Sequence, residues 1–143
     1  MPEMSPPAQL LLPLFLHFGL VVGLYAALTW ARLVVVRRGE AAKNDFARAN
    51  GDPPVSARIQ RNLSNQFEAP VFVWIGALIL ILTTQVTIWD VAAAWVFLAG
   101  RLAHTAVQCA GDNVALRGQV FTINFLGVLW LMAHALLAIL GVL

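Results

Sequence analysis

The sequence predicts an all-α integral membrane protein, a bundle of four transmembrane helices. Of its 143 residues, 60% are hydrophobic and only 11% are charged. A soluble domain of this length has about a quarter of its residues charged, because it must cover its core with polar surface. The hydrophobic residues also fall into four long segments, and about 20 apolar residues suffice to cross the hydrocarbon of a bilayer. We therefore expect one domain over residues 1–143, with the lipid bilayer as its solvent.

The four predicted helices are separated by polar stretches. They cover about residues 8–36, 56–86, 91–110 and 119–142. The first lacks a preceding basic stretch, and we expect it to be retained rather than cleaved as a signal peptide. Pro70 should bend or loosen the second helix, because proline lacks a backbone donor. A tight turn at 87–90 is expected to lead into the third helix.

The long connection at about 37–55 predicts the orientation of the bundle. Its basic residues are Arg37, Arg38, Lys43 and Arg48. All nine Lys and Arg residues of the chain fall in the half of the molecule on this side. Basic residues accumulate on the cytoplasmic side of membrane proteins. We therefore expect 37–55 to be a cytoplasmic loop and both termini to lie on the non-cytoplasmic side.

The composition argues against several other classes of protein. A net charge of +2 and dispersed basic residues do not form the phosphate-tracking face that nucleic acid requires. Cys109 is the single cysteine, so we expect no intrachain disulfide and no metal site, and we interpret Cys109 as a packing residue. A transporter is disfavoured because the chain is short and shows no pair of broken helices in repeated halves.

Polar residues at the start of the second predicted helix share one face. These are Arg58, Arg61, Asn65 and Glu68. At about 100° per residue, their spacing confines them to an arc of roughly 80°. Guanidinium groups bind carboxylates through paired hydrogen bonds, and a carboxylate binds ammonium. The stripe therefore fits a small zwitterion, and it fits equally a network in which Glu68 neutralises Arg61.

The third predicted helix places Arg101, His104 and Gln108 on one face. Arg101 lies well inside the segment, so it needs a partner, and Glu68 and Asp112 are the candidates. A single histidine in such a place is usually a hydrogen-bonded interior residue, and this is our default interpretation of His104.

The ends of the first and fourth predicted helices add further polar residues. Arg32 shares a face with Tyr25 and Thr29, which a buried interhelical contact explains as well as a ligand site. Arg117 precedes the fourth helix; it either extends to phospholipid headgroups or stabilises an anion that forms near the cytoplasmic boundary. We interpret His17 and His134 as packing or interfacial residues.

Three of these features together resemble a known family. The string Arg58-x-x-Arg61-x-x-x-Asn65-x-x-Glu68-x-Pro70 resembles the signature of the MAPEG superfamily, the membrane-associated proteins in eicosanoid and glutathione metabolism. The segment Gly100-Arg101-Leu-Ala-His104-Thr105 is similar to the start of the third helix in the prostaglandin E synthase branch. Arg117 matches the place of the family's catalytic arginine. The nearest resemblance is to the microsomal glutathione transferase and prostaglandin E synthase branch.

The resemblance implies a homotrimer that binds glutathione, as cosubstrate, between subunits near the cytosolic side. The residues implied to bind it are Arg32, Arg58, Arg61, Asn65, Glu68, His104 and Gln108. Arg117 would stabilise the glutathione thiolate, because a nearby guanidinium favours the charged form of a thiol. The implied function is a glutathione-dependent transferase or peroxidase that acts on a hydrophobic small molecule with an electrophilic centre.

Departures from the family pattern support an alternative function. Ser64, Gln108 and Gly118 stand where relatives place a basic residue, a tyrosine and a serine. Of these, Gln108 and Ser64 favour a non-catalytic lipid-binding or scaffold protein of the same fold. A third, weaker hypothesis is a subunit of a larger membrane complex.

Overall fold

The protein is helical throughout its regular elements. The computed structural model of the chain describes residues 4–48, 50–111 and 113–142. Its helices are α1 (Pro6–Arg37), α2 (Pro54–Asn65), α3 (Pro70–Leu82), α4 (Ile88–Ala110) and α5 (Val114–Ile139), with a short 3₁₀ helix at Lys43–Ala47. No strand occurs among these residues. The predicted fold class, an all-helical membrane bundle, is confirmed.

Membrane-spanning character follows from three of the helical stretches. Pro6–Arg37, Pro54–Leu82 and Val114–Ile139 are long and apolar enough to cross a bilayer. Many large apolar side chains on their outer faces are exposed, among them Phe15, Leu78, Leu126 and Leu129. In a membrane these faces contact lipid, because hydrocarbon solvates them without cost.

The second predicted helix is interrupted rather than continuous over 56–86. α2 ends at Asn65 and α3 begins at Pro70. Pro70 has no N–H to donate to the carbonyl of Gln66, so the regular ladder cannot pass this point. The N–H groups of Gln66 and Phe67 instead donate to carbonyls three residues back, at distances of 3.0 Å. The expected loosening at Pro70 is therefore found, as a break of the helix.

The turn between the second and third spans also differs from the expectation. It occupies 83–87, and the residues from Ile88 onward already belong to α4. Asp90 caps this helix: its Oδ2 accepts hydrogen bonds from the backbone N–H of Thr87 at 2.7 Å and from the Thr87 hydroxyl at 2.8 Å. A carboxylate on the third residue satisfies donors that would otherwise be unpaired at the helix start.

The helices pack so that α1 and α5 each lie beside both α3 and α4, and α2 packs against α1 and α4. The main core contains Leu10, Leu14, Val73, Ala77, Leu80, Val91, Ala94, Phe97, Val128, Leu131 and Ala135. The end of the bundle that carries loop 38–53, α2 and the start of α5 holds the basic residues, and we call it the basic end. A smaller core cluster lies there, between α1 and α2.

Two glycines allow α4 and α5 to approach closely. A Cβ atom on Gly100 would lie 2.7 Å from Cβ of Asn124, and one on Gly127 would lie 2.6 Å from the carbonyl oxygen of Ala93. Small residues at helix contacts are typical of membrane bundles, where close packing drives association. This contact fixes the spacing between the helices that carry His104 and Arg117.

A buried carboxylate joins α4 and α5 at the end opposite to the basic end. The Asp90 side chain is fully buried, and its Oδ1 accepts a hydrogen bond from Nε1 of Trp130 at 3.0 Å. Nδ1 of His134 lies 2.8 Å from the same oxygen. His134 is therefore an interhelical contact.

Candidate functional site

A cavity of about 660 Å³ opens at the basic end, between α2, α4 and the start of α5. It is lined by Asn50, Asp52, Ala57, Gln60, Arg61, Ser64, Asn65, Glu68, His104, Gln108, Val114, Arg117, Gly118 and Phe121. Six of the eight residues predicted for the site are among them. Arg32 and Arg58, the other two, are not part of this lining.

Arg61 and Glu68 bring opposite charges to the α2 side of the cavity. Both side chains are exposed. Within the described residues, neither forms a hydrogen bond or an ion pair. The network in which Glu68 neutralises Arg61 is therefore not formed in this structure. Both groups are available to a ligand, as the zwitterion interpretation of the stripe requires.

His104 and Gln108 form the α4 wall. Gln108 is buried, and its Oε1 accepts a hydrogen bond from Nδ2 of Asn65 at 3.2 Å, which ties α4 to α2. His104 is 2% exposed and packs edge-on against the ring of Phe121. The expected interior hydrogen bond of His104 is absent from the described part of the chain, where its Nδ1 has no partner. Because Nδ1 is enclosed by protein, His104 lines the cavity with the rest of its ring.

Arg117 closes the cavity from α5. That helix begins at Val114, earlier than expected, because Oδ1 of Asn113 caps it by accepting the N–H of Leu116 at 2.9 Å. Arg117 therefore lies in the first helical turn, where the helix dipole is positive. Its charge also acts on His104. The guanidinium and the helix start both favour an anion in this part of the cavity.

Arg32 holds the loop and does not line the cavity. Its Nε donates to Oδ1 of Asp52 at 2.9 Å and its Nη2 to Oδ2 at 2.6 Å, a bidentate pair. The guanidinium also lies 5.0 Å from the centre of the Phe46 ring. The hydrogen bonds from Arg32 lower the pKa of the Asp52 carboxyl below its ordinary value, although burial opposes this. Sequence reasoning missed Asp52, because Asp52-Pro53-Pro54 in the 37–55 connection is typical of a loop and indicates no partner.

Arg101 lies behind the cavity wall with neutral partners. It is fully buried; its Nε donates to Oε1 of Gln66 at 3.0 Å, and its Nη2 donates to the backbone oxygen of Asn65 at 2.8 Å. The expected carboxylate partner Glu68 makes no ion pair with it, and Asp112 lies outside the described residues. Gln66 in turn donates to Oδ1 of Asn62 at 2.9 Å. Sequence reasoning missed Gln66. Its position four residues before Pro70, where the helix breaks, was the one signal that its side chain is not an ordinary helix-surface group.

The lining defines what the cavity can bind. Guanidinium groups bind carboxylates through two parallel hydrogen bonds, and a glutamate carboxylate binds an ammonium group. The side-chain amides of Asn65 and Gln108 can form hydrogen bonds with peptide groups. Its volume falls within the range of about 300–1,000 Å³ that is usual for small-molecule sites. A peptide-sized molecule with charges of both signs suits these residues.

The fold and the cavity define an integral membrane helical protein with a charged small-molecule pocket at one end. The chain belongs to the MAPEG family, whose sequence profile matches residues 11–137. Membership supports a membrane protein related to glutathione or eicosanoid metabolism, since proteins of this family generally use glutathione. Comparisons with curated proteins and with solved structures find no match.

Proposed function

We propose that this protein is a glutathione-dependent membrane transferase of the microsomal glutathione transferase and prostaglandin E synthase branch. The observation that carries the proposal is the convergence of Arg61, Glu68 and Arg117 on one cavity. None of the three forms a hydrogen bond or ion pair elsewhere in the described chain. Exposed charges of both signs that no protein group pairs are available to a ligand with complementary charges.

Glutathione fits the lining group by group. It carries two carboxylates, an ammonium group, two peptide groups and a thiol. Arg61 would hold a carboxylate and Glu68 the ammonium group, while Asn65 and Gln108 would bond the peptide groups. His104, which lines the cavity, would contact the tripeptide with the edge of its ring. Arg58 and Arg32 would contribute after local rearrangement or from a neighbouring subunit.

The chemistry depends on the charge of the thiol. A thiol is mostly protonated at neutral pH, and its thiolate is the nucleophile. Arg117 and the start of α5 would favour the thiolate, and the proton would pass to water. The sulfur would then form a bond to an electrophilic carbon of the lipophile, and the displaced electron pair would leave with the departing group. If the second substrate is a hydroperoxide, the sulfur would attack the peroxide oxygen and release an alcohol. A second glutathione would then condense with the resulting sulfenic acid to give the disulfide and water.

The proposal includes an orientation and an assembly. With the basic end in the cytoplasm, the cavity meets the compartment that holds glutathione, and both termini lie on the non-cytoplasmic side. Three copies around a common axis would cover part of the exposed apolar surface. The mass of the detergent-solubilised protein tests the assembly: three subunits of 15.5 kDa support it, and a monomer or a complex with another protein contradicts it.

Thiolate formation is the direct test of the function. Adding glutathione to the purified protein should produce the ultraviolet absorbance of a thiolate. Arg117→Ala should remove this signal and lower conjugation about 10²–10³-fold, the usual effect of losing one electrostatic stabiliser. Arg48→Ala is the matched control, because the Arg48 side chain is 76% exposed in the loop and pairs with Asp45. If the unaltered protein gives no thiolate signal at saturating glutathione, the catalytic proposal is wrong.

A second groove favours the alternative, a non-catalytic lipid-binding or scaffold protein. It measures about 420 Å³ and lies between α1 and the helix break, lined by His17, Phe18, Val21, Val22, Tyr25, Gln66, Phe67, Val71 and Trp74. Its mostly apolar lining suits an acyl chain. Copurified lipid, together with no conjugation of a generic aryl halide, would favour this alternative over the transferase.

A further inference from the structure

Arg101 is a buried cation whose hydrogen bonds leave its charge uncompensated. Its acceptors are the side-chain oxygen of Gln66 and the backbone oxygen of Asn65. Its Nη1 is buried and has no hydrogen-bond partner among the described residues. Burying a cation without a carboxylate is expensive, and such an arrangement usually has a functional reason.

The charge of Arg101 reaches the residues of the cavity. Glu68, which follows α2, interacts with it electrostatically. Arg101 and Arg117 both lie near enough to His104 on α4 for their charges to act electrostatically on its ring. On the side of α1, Nε2 of His17 lies 2.9 Å from the same Gln66 oxygen that accepts from Arg101. Of these groups, Glu68 and His104 line the cavity.

We infer that Arg101 acts as a positioning residue that helps to stabilise the anion that forms in the cavity, without touching it. Its charge is available for this because no ion pair among the described residues neutralises it. The inference rests on the proposed function, since the anion is the glutathione thiolate. Arg117 would act by contact from α5, and Arg101 would act from behind the wall formed by α2 and α4. The same guanidinium holds the carbonyl end of α2 against α4, so that Asn65 faces Gln108.

Burial makes this charge effective. A guanidinium in the protein interior is screened far less than one on the surface. At a separation of about 10 Å and an effective dielectric constant of about 20, a unit charge shifts the apparent pKa of a thiol by about one pH unit. Removing or neutralising the charge should therefore raise the apparent pKa of bound glutathione by about that amount.

Two pairs of variants separate the charge from the hydrogen bonds. Gln66→Glu keeps the oxygen that faces Nε of Arg101 and Nε2 of His17, and it loses the donor to Asn62. It gives the guanidinium a negative partner, so it cancels the charge while the contact to α4 remains. Arg101→Lys keeps the charge and loses the fork, whereas Arg101→Met loses both. The apparent pKa of the thiol, read from thiolate absorbance against pH, should rise by about one pH unit in Gln66→Glu relative to the unaltered protein. It should rise by a similar amount, about one pH unit, in Arg101→Met relative to Arg101→Lys.

The second pair keeps the test decisive if Gln66→Glu fails to fold. If Arg101 acts only through its hydrogen bonds, Gln66→Glu should leave the apparent pKa of the thiol unchanged. Arg101→Lys and Arg101→Met should then give the same apparent pKa. That result would overturn the inference alone. Absence of any thiolate signal in the unaltered protein would overturn both the inference and the proposed function.

Discussion

Replacing Gly100 by alanine tests the closest contact in the bundle. The added Cβ would lie 2.7 Å from Cβ, 2.8 Å from N and 2.9 Å from Cα of Asn124. Because two of these three are backbone atoms, no side-chain rotation relieves the overlap, and α5 must move away from α4. Overpacking of this kind costs about 1–3 kcal/mol.

Gly23→Ala in α1 provides the matched control. A Cβ atom at Gly23 would meet no atom within 4 Å. Each substitution places alanine in a helix interior, where it is favoured over glycine by about 0.8–1.0 kcal/mol. This gain is common to both variants, so the difference in their free energies of unfolding isolates the overlap, about 1–3 kcal/mol against Gly100→Ala.

Reversible unfolding in mixed micelles, followed by circular dichroism at increasing denaturing detergent, measures the difference. Gly100→Ala should also weaken thiolate formation, because α4 and α5 carry His104 and Arg117 into the same cavity. Equal unfolding free energies for Gly100→Ala and Gly23→Ala would show that α4 and α5 do not pack at the distance described.

Two further predictions concern carboxylates with defined partners. The pKa of Asp52 is lowered by Arg32, so the stability from this pair is fully present above the unfolded value of about 3.9 and is lost as pH falls through the lower folded value. Asp52→Asn should therefore cost on the order of 1 kcal/mol at neutral pH and nothing in strong acid, and a cost that persists in acid would contradict the assignment. Asp90→Asn removes an acceptor for Thr87 or for the Trp130 and His134 pair, and should lower stability by about 1–3 kcal/mol. Trp130→Phe, which removes one donor, should cost less in the same thermal unfolding assay, and the reverse order would refute this account.

The parts of the site that follow from helix periodicity were predictable. Arg61 and Asn65 are four residues apart in α2, so the helical period places them on one face. Glu68 lies beyond the end of α2, and it reaches the same cavity from the break rather than through the helical period. The apolar length of the segments likewise predicts membrane helices. Arg117 entered the site through the family resemblance, and the structure brings it to the cavity that the stripe lines.

The parts that depend on contacts between distant segments were not predictable. Arg32 pairs with Asp52, which is 20 residues away, and nothing in the local pattern of either segment specifies that distance. Asp90 looked like a turn residue, but its partners Trp130 and His134 lie on another helix. Arg101 likewise pairs with Gln66 rather than with a carboxylate because of how α4 packs against the end of α2, which the local sequence does not specify.

The interruption between α2 and α3 has a consequence for how the protein fits membranes of different thickness. Transmembrane helices accommodate a mismatch with the bilayer chiefly by tilting. Because the regular hydrogen-bond ladder stops at residues 66–69, α3 can change its tilt while α2 stays anchored to α4 by Arg101. No residue of α3 lines the cavity, so we expect a change in the tilt of α3 to alter the site less than a comparable change in α4 or α5 would.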